Sequence, residues 1–227
     1  RRQPDVFDNY QAMTFSYRFD NVAYSIFGPL DGHSVYLGYS VPLRMTATER
    51  ELYILTSEYR YYHLFDNFWN IAFRAFAGAS TGADAFKYPF RLGGFGTLRG
   101  YDFQEFEGTK AFMINAEMRF TLVDHMQFAF PFHWSPGLIR GAFFVDAGSA
   151  FDDYHLYQAV DGRYGNGCWI GGSLRVGCGV TRDLHMSIGV GIHWVLFYGF
   201  LAKIEWASPY DFRHSLPLSK WRGQFSL

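Results

Sequence analysis

The chain has 227 residues, enough for one sizeable domain, and 49% of them are hydrophobic while 21% are aromatic. Its net charge of −1 argues against nucleic-acid binding, which requires a surplus of Lys and Arg. The mean hydropathy is only −0.09 because apolar and polar residues alternate, instead of forming the apolar runs of about 18 residues that mark transmembrane helices. This pattern favours β-strands that have one apolar and one polar face.

Alternating polarity, interrupted by turn residues, predicts about nine or ten strands along the chain. In chain order the candidates are 11–20, 34–43, 52–62, 70–80, 111–122, 138–148, 169–181, 185–194, 200–208 and 221–227. A turn is expected at 28–32, which reads Gly-Pro-Leu-Asp-Gly, and a gap without strand pattern extends from 81 to 109. No helix of appreciable length is predicted.

The two faces of these strands predict two environments, with lipid outside and a wet lumen inside. The side chains expected to face lipid include Met118, Phe120, Val176, Ile188, Val190, Ile204 and Trp206. Those expected to face the interior include Glu117, Arg119, Arg175, His193 and Lys203. Aromatic clusters near strand ends resemble the girdles of membrane barrels. Alternation alone leaves open a soluble barrel or sandwich whose apolar faces pack together.

A Gly-rich segment lies in the gap between strands. Residues 92–101 read Leu-Gly-Gly-Phe-Gly-Thr-Leu-Arg-Gly-Tyr, and the four glycines allow a tight backbone path around Arg99. Asp146 lies on the polar side of the strand predicted at 138–148. An arginine can fix a loop through charge-assisted hydrogen bonds to such a carboxylate. On spacing alone, however, a solvated Arg99 and an Asp146 that ends its strand are the simpler interpretation.

Four motifs follow one another along the chain. They are LRGY at 98–101, NAEMRF at 115–120, FVDAG at 144–148, and the stretch 200–211, which contains EWASP. In this order they resemble the C-terminal barrel of the outer-membrane assembly-factor superfamily, the BamA/TamA-like or bacterial surface antigen barrels. Segment 20–32 also resembles an early hairpin of members fused to TolB-like propellers.

The resemblance implies an all-β fold: an antiparallel transmembrane β-barrel, or the C-terminal part of a roughly sixteen-stranded one, with the Gly-rich loop entering the lumen. Arg99 would be the loop residue inside the lumen, with Asp146 as its main partner and Glu117 as a second. The full set of site residues that the resemblance implies is Arg99, Gly100, Tyr101, Glu117, Asp146 and Gly148. With the family pattern, this lock becomes the favoured interpretation of Arg99.

The sequence also departs from the family pattern. Nine or ten strands fall short of roughly sixteen, and six candidates follow the loop where the family has five. We therefore expect residues 1–227 to be one outer-membrane barrel domain, the C-terminal part of a longer chain. Strand 11–20 is then expected to pair with a strand outside this sequence; the alternative is a smaller barrel closed by the final strand.

The search for catalytic motifs gives no candidate. His-Glu-x-x-His and Gly-x-x-x-x-Gly-Lys are absent. His185 and His193 share a predicted strand face but lie about 26 Å apart, too far to share a metal ion. We expect no enzyme activity, no cofactor and no metal; a hydrolase whose Ser and His come from distant segments is the minor alternative.

The resemblance implies a function in the bacterial outer membrane. It is insertion or translocation of outer-membrane or surface proteins, with outer-membrane lipid and client proteins or other envelope subunits as partners, and no nucleic acid. Two alternatives remain open: a non-catalytic anchor for a propeller or larger envelope complex, and a passive pore.

Overall fold

A computed structural model describes residues 11–26, 28–43, 51–66, 69–123, 139–153, 157, 168–170, 173–175, 183–195, 201–210 and 221–226. Its strands are β1 (Ala12–Asp20), β2 (Ala23–Ser25), β3 (Gly28–Pro42), β4 (Tyr53–Leu64), β5 (Trp69–Thr81), β6 (Phe90–Leu92), β7 (Phe106–Gly108), β8 (Lys110–Val123), β9 (Ile139–Phe151), β10 (Cys168–Ile170), β11 (Ser173–Arg175), β12 (His185–Val195), β13 (Leu201–Pro209) and β14 (Arg222–Ser226). One short 3-10 helix, Ala85–Lys87, follows β5. No helix in these ranges is long and apolar enough to cross a membrane.

Ten of the strands form one antiparallel sheet. Its order is β1-β3-β4-β5-β8-β9-β12-β13-β14, with β2 paired to the start of β3. Neighbours in the sheet follow one another along the chain, so the sheet is a meander. Within the described residues, β1 pairs only with β3 and β14 only with β13, so the sheet is open between these two strands.

The predicted turn at 28–32 is wrong. Those residues begin β3, which pairs with β2 from Gly28 to Asp31 and then with β4. The two glycines that signalled a turn instead adopt positive φ inside an extended hairpin, 103° at Gly28 and 109° at Gly32. At Gly32 a Cβ atom would lie 2.7 Å from the carbonyl oxygen of Asn21, so glycine is needed there for a close approach.

The strand predicted at 169–181 is also wrong. β9 pairs directly with β12, from His185 opposite Gly148 to Trp194 opposite Ile139, which leaves no place for a strand between them. β10 and β11 pair with each other in a separate two-stranded sheet. The Gly-Gly dipeptide between these two strands is a turn signal that the alternating pattern concealed. The Arg175 side chain and Val176 lie outside the described residues.

This correction accounts for the strand number after the Gly-rich loop. The main sheet there consists of β8, β9, β12, β13 and β14, which is the number that the family resemblance implies. The strand 221–227, which had looked like a surplus, is β14, and its Arg222–Ser226 part pairs with β13.

The two faces of the sheet separate as predicted. Met118, Ile204 and Trp206 are exposed on the outer face. Glu117, Arg119, His193 and Lys203 instead line a cavity on the inner face, together with Arg99. Ile188 and Val190 line an apolar groove on the outer face with Met118. The period-2 pattern therefore records the pleat of each strand.

The segment between β5 and β8 folds onto the inner face. It contains the small β6–β7 hairpin, and its Leu92 and Leu98 form a buried apolar cluster with Ala111 and Met113 of β8. Leu98 is completely buried. This apolar contact carries the Gly-rich loop inside the curve of the sheet, where Arg99 follows Leu98 directly.

Candidate functional site

The loop follows a backbone path that only glycine permits at several positions. Gly93, Gly94, Gly96 and Gly100 have φ angles of 120°, 89°, 84° and 87°. At Gly93 a Cβ atom would lie 2.4 Å from the carbonyl oxygen of Asp102. At Gly100 it would lie 3.2 Å from Ala207 of β13. The approach at Gly93 is made within the segment itself, and the approach at Gly100 lets the loop lie directly against β13.

Arg99 and Asp146 form a bidentate ion pair. The Nε atom of Arg99 donates to Oδ2 of Asp146 at 2.8 Å, and Nη2 donates to Oδ1 at 2.7 Å. The backbone N–H of Arg99 also donates to Oδ2, at 3.2 Å. Asp146 is completely buried and Arg99 is 6% exposed. One carboxylate thus holds both the side chain and the backbone of Arg99.

Two further carboxylates surround the same guanidinium. Its Nη1 atom donates to Oε2 of Glu117 at 3.1 Å and to Oε1 of Glu205 at 3.3 Å. The guanidinium carbon also lies 3.4 Å from the ring centre of Phe144, which is a cation–π contact. The five N–H donors of arginine suit this arrangement, whereas the single ammonium of lysine could not serve it.

A second layer of side chains contacts the carboxylates of this cluster. Arg119 donates to Glu117 at 2.6 Å, and His193 Nε2 lies 3.2 Å from Glu205 Oε1. Burial lowers the pKa of the Arg99 guanidinium, but the hydrogen bonds and charge of Asp146 and the charges of Glu117 and Glu205 raise that pKa above its ordinary value. Arg99 is therefore a permanent cation.

The loop motif has two more contacts with the wall. The hydroxyl of Tyr101 donates to the backbone carbonyl of Met186 in β12 at 2.8 Å. Gly148 leaves space for Leu98, since a Cβ atom at Gly148 would lie 3.3 Å from that side chain and 2.7 Å from the carbonyl oxygen of Phe112. The structure thus brings all six predicted site residues to the contact between loop and wall, either in the ion cluster or beside it.

Three residues of the cluster were not predicted. They are Asn115, Phe144 and Glu205. Asn115 Nδ2 donates to the carbonyl oxygen of Thr97 at 2.8 Å and to Asp146 at 2.9 Å, so it joins the loop to the carboxylate. All three lie within the motifs that carry the family resemblance, which was the available signal. The sequence does not predict the strand register that places Glu205 of β13 within reach of Arg99.

An expectation that the chain has no Gly-x-Ser-x-Gly motif is wrong, because residues 78–82 read Gly-Ala-Ser-Thr-Gly. Ser80 lies inside β5, and its hydroxyl donates to the carbonyl oxygen of Thr109 at 3.0 Å. A hydrolase nucleophile occupies a sharp turn between a strand and a helix, which is a different setting. Within the described ranges, no group of three or more His, Cys, Asp or Glu residues could hold a metal ion.

Fold and site together define a class of protein: a membrane β-barrel wall with a Gly-rich loop clamped to its inner face. Residues 5–216 match the model of the Omp85 superfamily domain, and the chain belongs to this superfamily. It is a protein of the bacterial outer membrane.

Comparison with solved structures supports the same fold. The chain is similar to BamA from Haemophilus ducreyi, in a crystal structure that lacks POTRA domains 1–3, with a TM-score of 0.62 and 15% sequence identity. The match covers 94% of this chain but 41% of that chain, so the present sequence spans well under half the length of this relative. No curated protein matches the sequence.

Proposed function

We propose that this protein acts, without enzymatic chemistry, in the insertion or translocation of other outer-membrane or surface proteins. Membership of the Omp85 superfamily supports this function class. The observation that carries the proposal is the Gly-rich loop fixed inside the barrel wall by the buried Arg99 cluster. A barrel that served only as a passive pore would not require a charged loop fixed at this position.

We further propose that the Arg99–Asp146 pair is a lock that sets the position of this loop. Buried ion pairs add little to stability compared with apolar residues of similar volume, and their best-attested use is to fix a register or a switch. Arg99 contacts three carboxylates, and this arrangement fits a switch. As the loop moves, the guanidinium can exchange one carboxylate for another or for water. Gly100, Tyr101 and Gly148 give the loop its path beside the lock.

The partners follow from the two faces of the sheet. We propose that the apolar outer face meets outer-membrane lipid, and that client proteins are assembled at the barrel. A second candidate function is a membrane anchor for a larger envelope complex, which the occupied inner face favours. A passive pore is less well supported, because the loop covers part of the inner face that would line a pore.

The proposed function can be tested with the full-length protein in liposomes. A small outer-membrane barrel, unfolded in urea, would be added, and its folding rate measured by protease protection. We expect the wild-type protein to accelerate folding, and Arg99→Met to reduce that acceleration. Arg91→Met is the matched control, since Arg91 forms an exposed pair with Glu107 away from the lock. Folding no faster than in empty liposomes would reject the assembly function in favour of the anchor.

A further inference from the structure

A row of three side chains on adjacent strands contacts successive residues of the loop. Arg74 of β5 lies opposite Asn115 of β8, and Asn115 lies opposite Asp146 of β9. Directly opposed residues in an antiparallel sheet stand at the same level and point to the same face. These three side chains therefore form one line across the inner wall.

The loop lies along this line in chain order. Arg74 Nη1 donates to the carbonyl oxygen of Gly96 at 2.7 Å, and Asn115 Nδ2 donates to that of Thr97 at 2.8 Å. Asp146 then accepts from the backbone N–H of Arg99 at 3.2 Å. Three strands thus bind the backbone of residues 96–99 in succession, and the segment is held at both ends.

Glu58 of β4 fixes the guanidinium of Arg74 for this contact. The Nε atom of Arg74 donates to Oε1 of Glu58, while Arg60 Nη2 donates to both oxygens of the same carboxylate at 3.0 Å. With Nε held by Glu58, the Nη1 atom of Arg74 remains available for the loop. Glu58 itself is mostly buried, with 18% side-chain exposure.

We propose that Arg74, oriented by Glu58, is a second anchor of the loop, on the opposite side from Arg99. Residues 96–99 then have an arginine contact at each end and the Asn115 contact between them, and the segment cannot leave the wall until both the Arg74–Gly96 contact and the Arg99–Asp146 pair have opened. Arg74 is a positioning residue, since it acts on clients only through the loop. This inference extends the proposed lock, but it concerns loop attachment and needs no client to be tested.

Hydrogen–deuterium exchange of the full-length protein in lipid nanodiscs measures this attachment. Arg74→Met is expected to raise exchange of the loop peptide containing Gly94 and Thr97 about tenfold or more, the effect of losing a hydrogen bond from a charged donor. The amides of Gly94 and Thr97 donate to carbonyl oxygens of the loop and that of Arg99 donates to Asp146 of the wall, so a peptide that contains all three reports both loop order and release from the wall. The double variant with Arg99→Met is expected to exchange faster than either single variant.

Arg91→Met is the matched control, because it removes an arginine from the same segment without touching the row. Loop exchange in Arg74→Met equal to that in Arg91→Met would overturn the second anchor, as would a double variant no faster than Arg99→Met. Heat-modified mobility on gels reports barrel folding. If Arg74→Met does not fold, Glu58→Gln tests the second anchor instead. Loop exchange in that variant equal to that in Arg91→Met would overturn the anchor. Faster loop exchange with unchanged client folding would retain the second anchor and show that client folding does not depend on it, whereas the proposed function is rejected only if the wild-type protein folds clients no faster than empty liposomes do.

Discussion

Two clusters of arginine and carboxylate lie on the same inner wall and differ in burial. The first joins Arg99 to Asp146, with side-chain exposures of 8% and 0%. The second joins Arg60 to Glu58, with exposures of 41% and 18%. Distances do not separate them, since the Arg60–Glu58 contact of 3.0 Å falls between the contacts of Arg99 with Asp146 and with Glu117, at 2.7 and 3.1 Å.

Burial, more than distance, decides what an ion pair contributes to the free energy of unfolding. Where water reaches the pair, the Coulomb attraction is screened and mobile side chains lose entropy when they are held. Where water is excluded, the attraction is strong, but an unpaired charge is very costly. We therefore expect the two clusters to respond very differently to the loss of one charge.

The largest effect is expected for Asp146→Asn. It leaves the buried Arg99 without its bidentate partner, and breaking a buried pair on one side costs about 3–5 kcal/mol in free energy of unfolding. Urea unfolding in lipid vesicles, followed by tryptophan fluorescence, measures this loss. In a double-mutant cycle, Arg99→Met and Asp146→Asn should be strongly non-additive, because each removes the same contact. Additive losses would contradict the lock.

The second-largest effect is expected for an arginine placed on the outer face of β4, compared with one on its inner face. The comparison tests whether water reaches the inner face, which carries the Arg60–Glu58 cluster. Leu55 and Thr56 are neighbours in β4 at nearly the same depth, and Leu55 is 53% exposed on the outer face. Leu55→Arg should cost about 2–4 kcal/mol if it lies near the midplane of the bilayer, and less toward the interface. Thr56→Arg, on the inner face near Glu58, should cost much less in the same unfolding assay. Equal losses would mean that the inner face is not wet.

The third-largest loss of unfolding free energy is expected for Gly100→Ala, next to Arg99. It tests whether the Arg99 cluster requires the loop backbone to lie close to β13. Gly100→Ala adds a methyl group at a φ of 87° and 3.2 Å from Ala207. Gly96→Ala is its control, because Gly96 has a φ of 84° but no atom within 4 Å of the added carbon. The left-handed conformation costs about 1–2 kcal/mol in both variants. Only Gly100→Ala should lose more than this; equal unfolding free energies would contradict the close approach.

Sequence reasoning could predict the pairing of Arg99 with Asp146 because it needed two facts: a family motif that names the pair and a period-2 pattern that puts Asp146 inside. It could not predict Glu205, although that residue lies on a predicted polar face. Glu205 is 106 residues from Arg99 along the chain. Its contact depends on the curvature of the sheet, which the alternating pattern does not encode.

The two wrong elements have a related cause. Alternation at 169–181 and the glycines of 28–32 are both local signals, whereas the extent of a strand is decided by the partner strand with which it pairs. β9 finds β12, and the region containing β10 and β11 is left outside the main sheet. Likewise, β3 extends back to Gly28 because β2 pairs with it there. Local patterns therefore predicted which residues face inward better than where each strand begins.

The smallest effect is expected for Arg60→Met, in the half-exposed cluster. Arg60 lies directly opposite Arg74 across β4 and β5, and the carboxylate of Glu58 serves both. Removing Arg60 takes away one screened ion pair but also relieves repulsion between two neighbouring cations. The two changes oppose each other, so the free energy of unfolding should fall by only about 0–1 kcal/mol. A loss as large as that of Asp146→Asn, in the same urea titration, would show that solvent exposure does not set the different contributions of the two clusters.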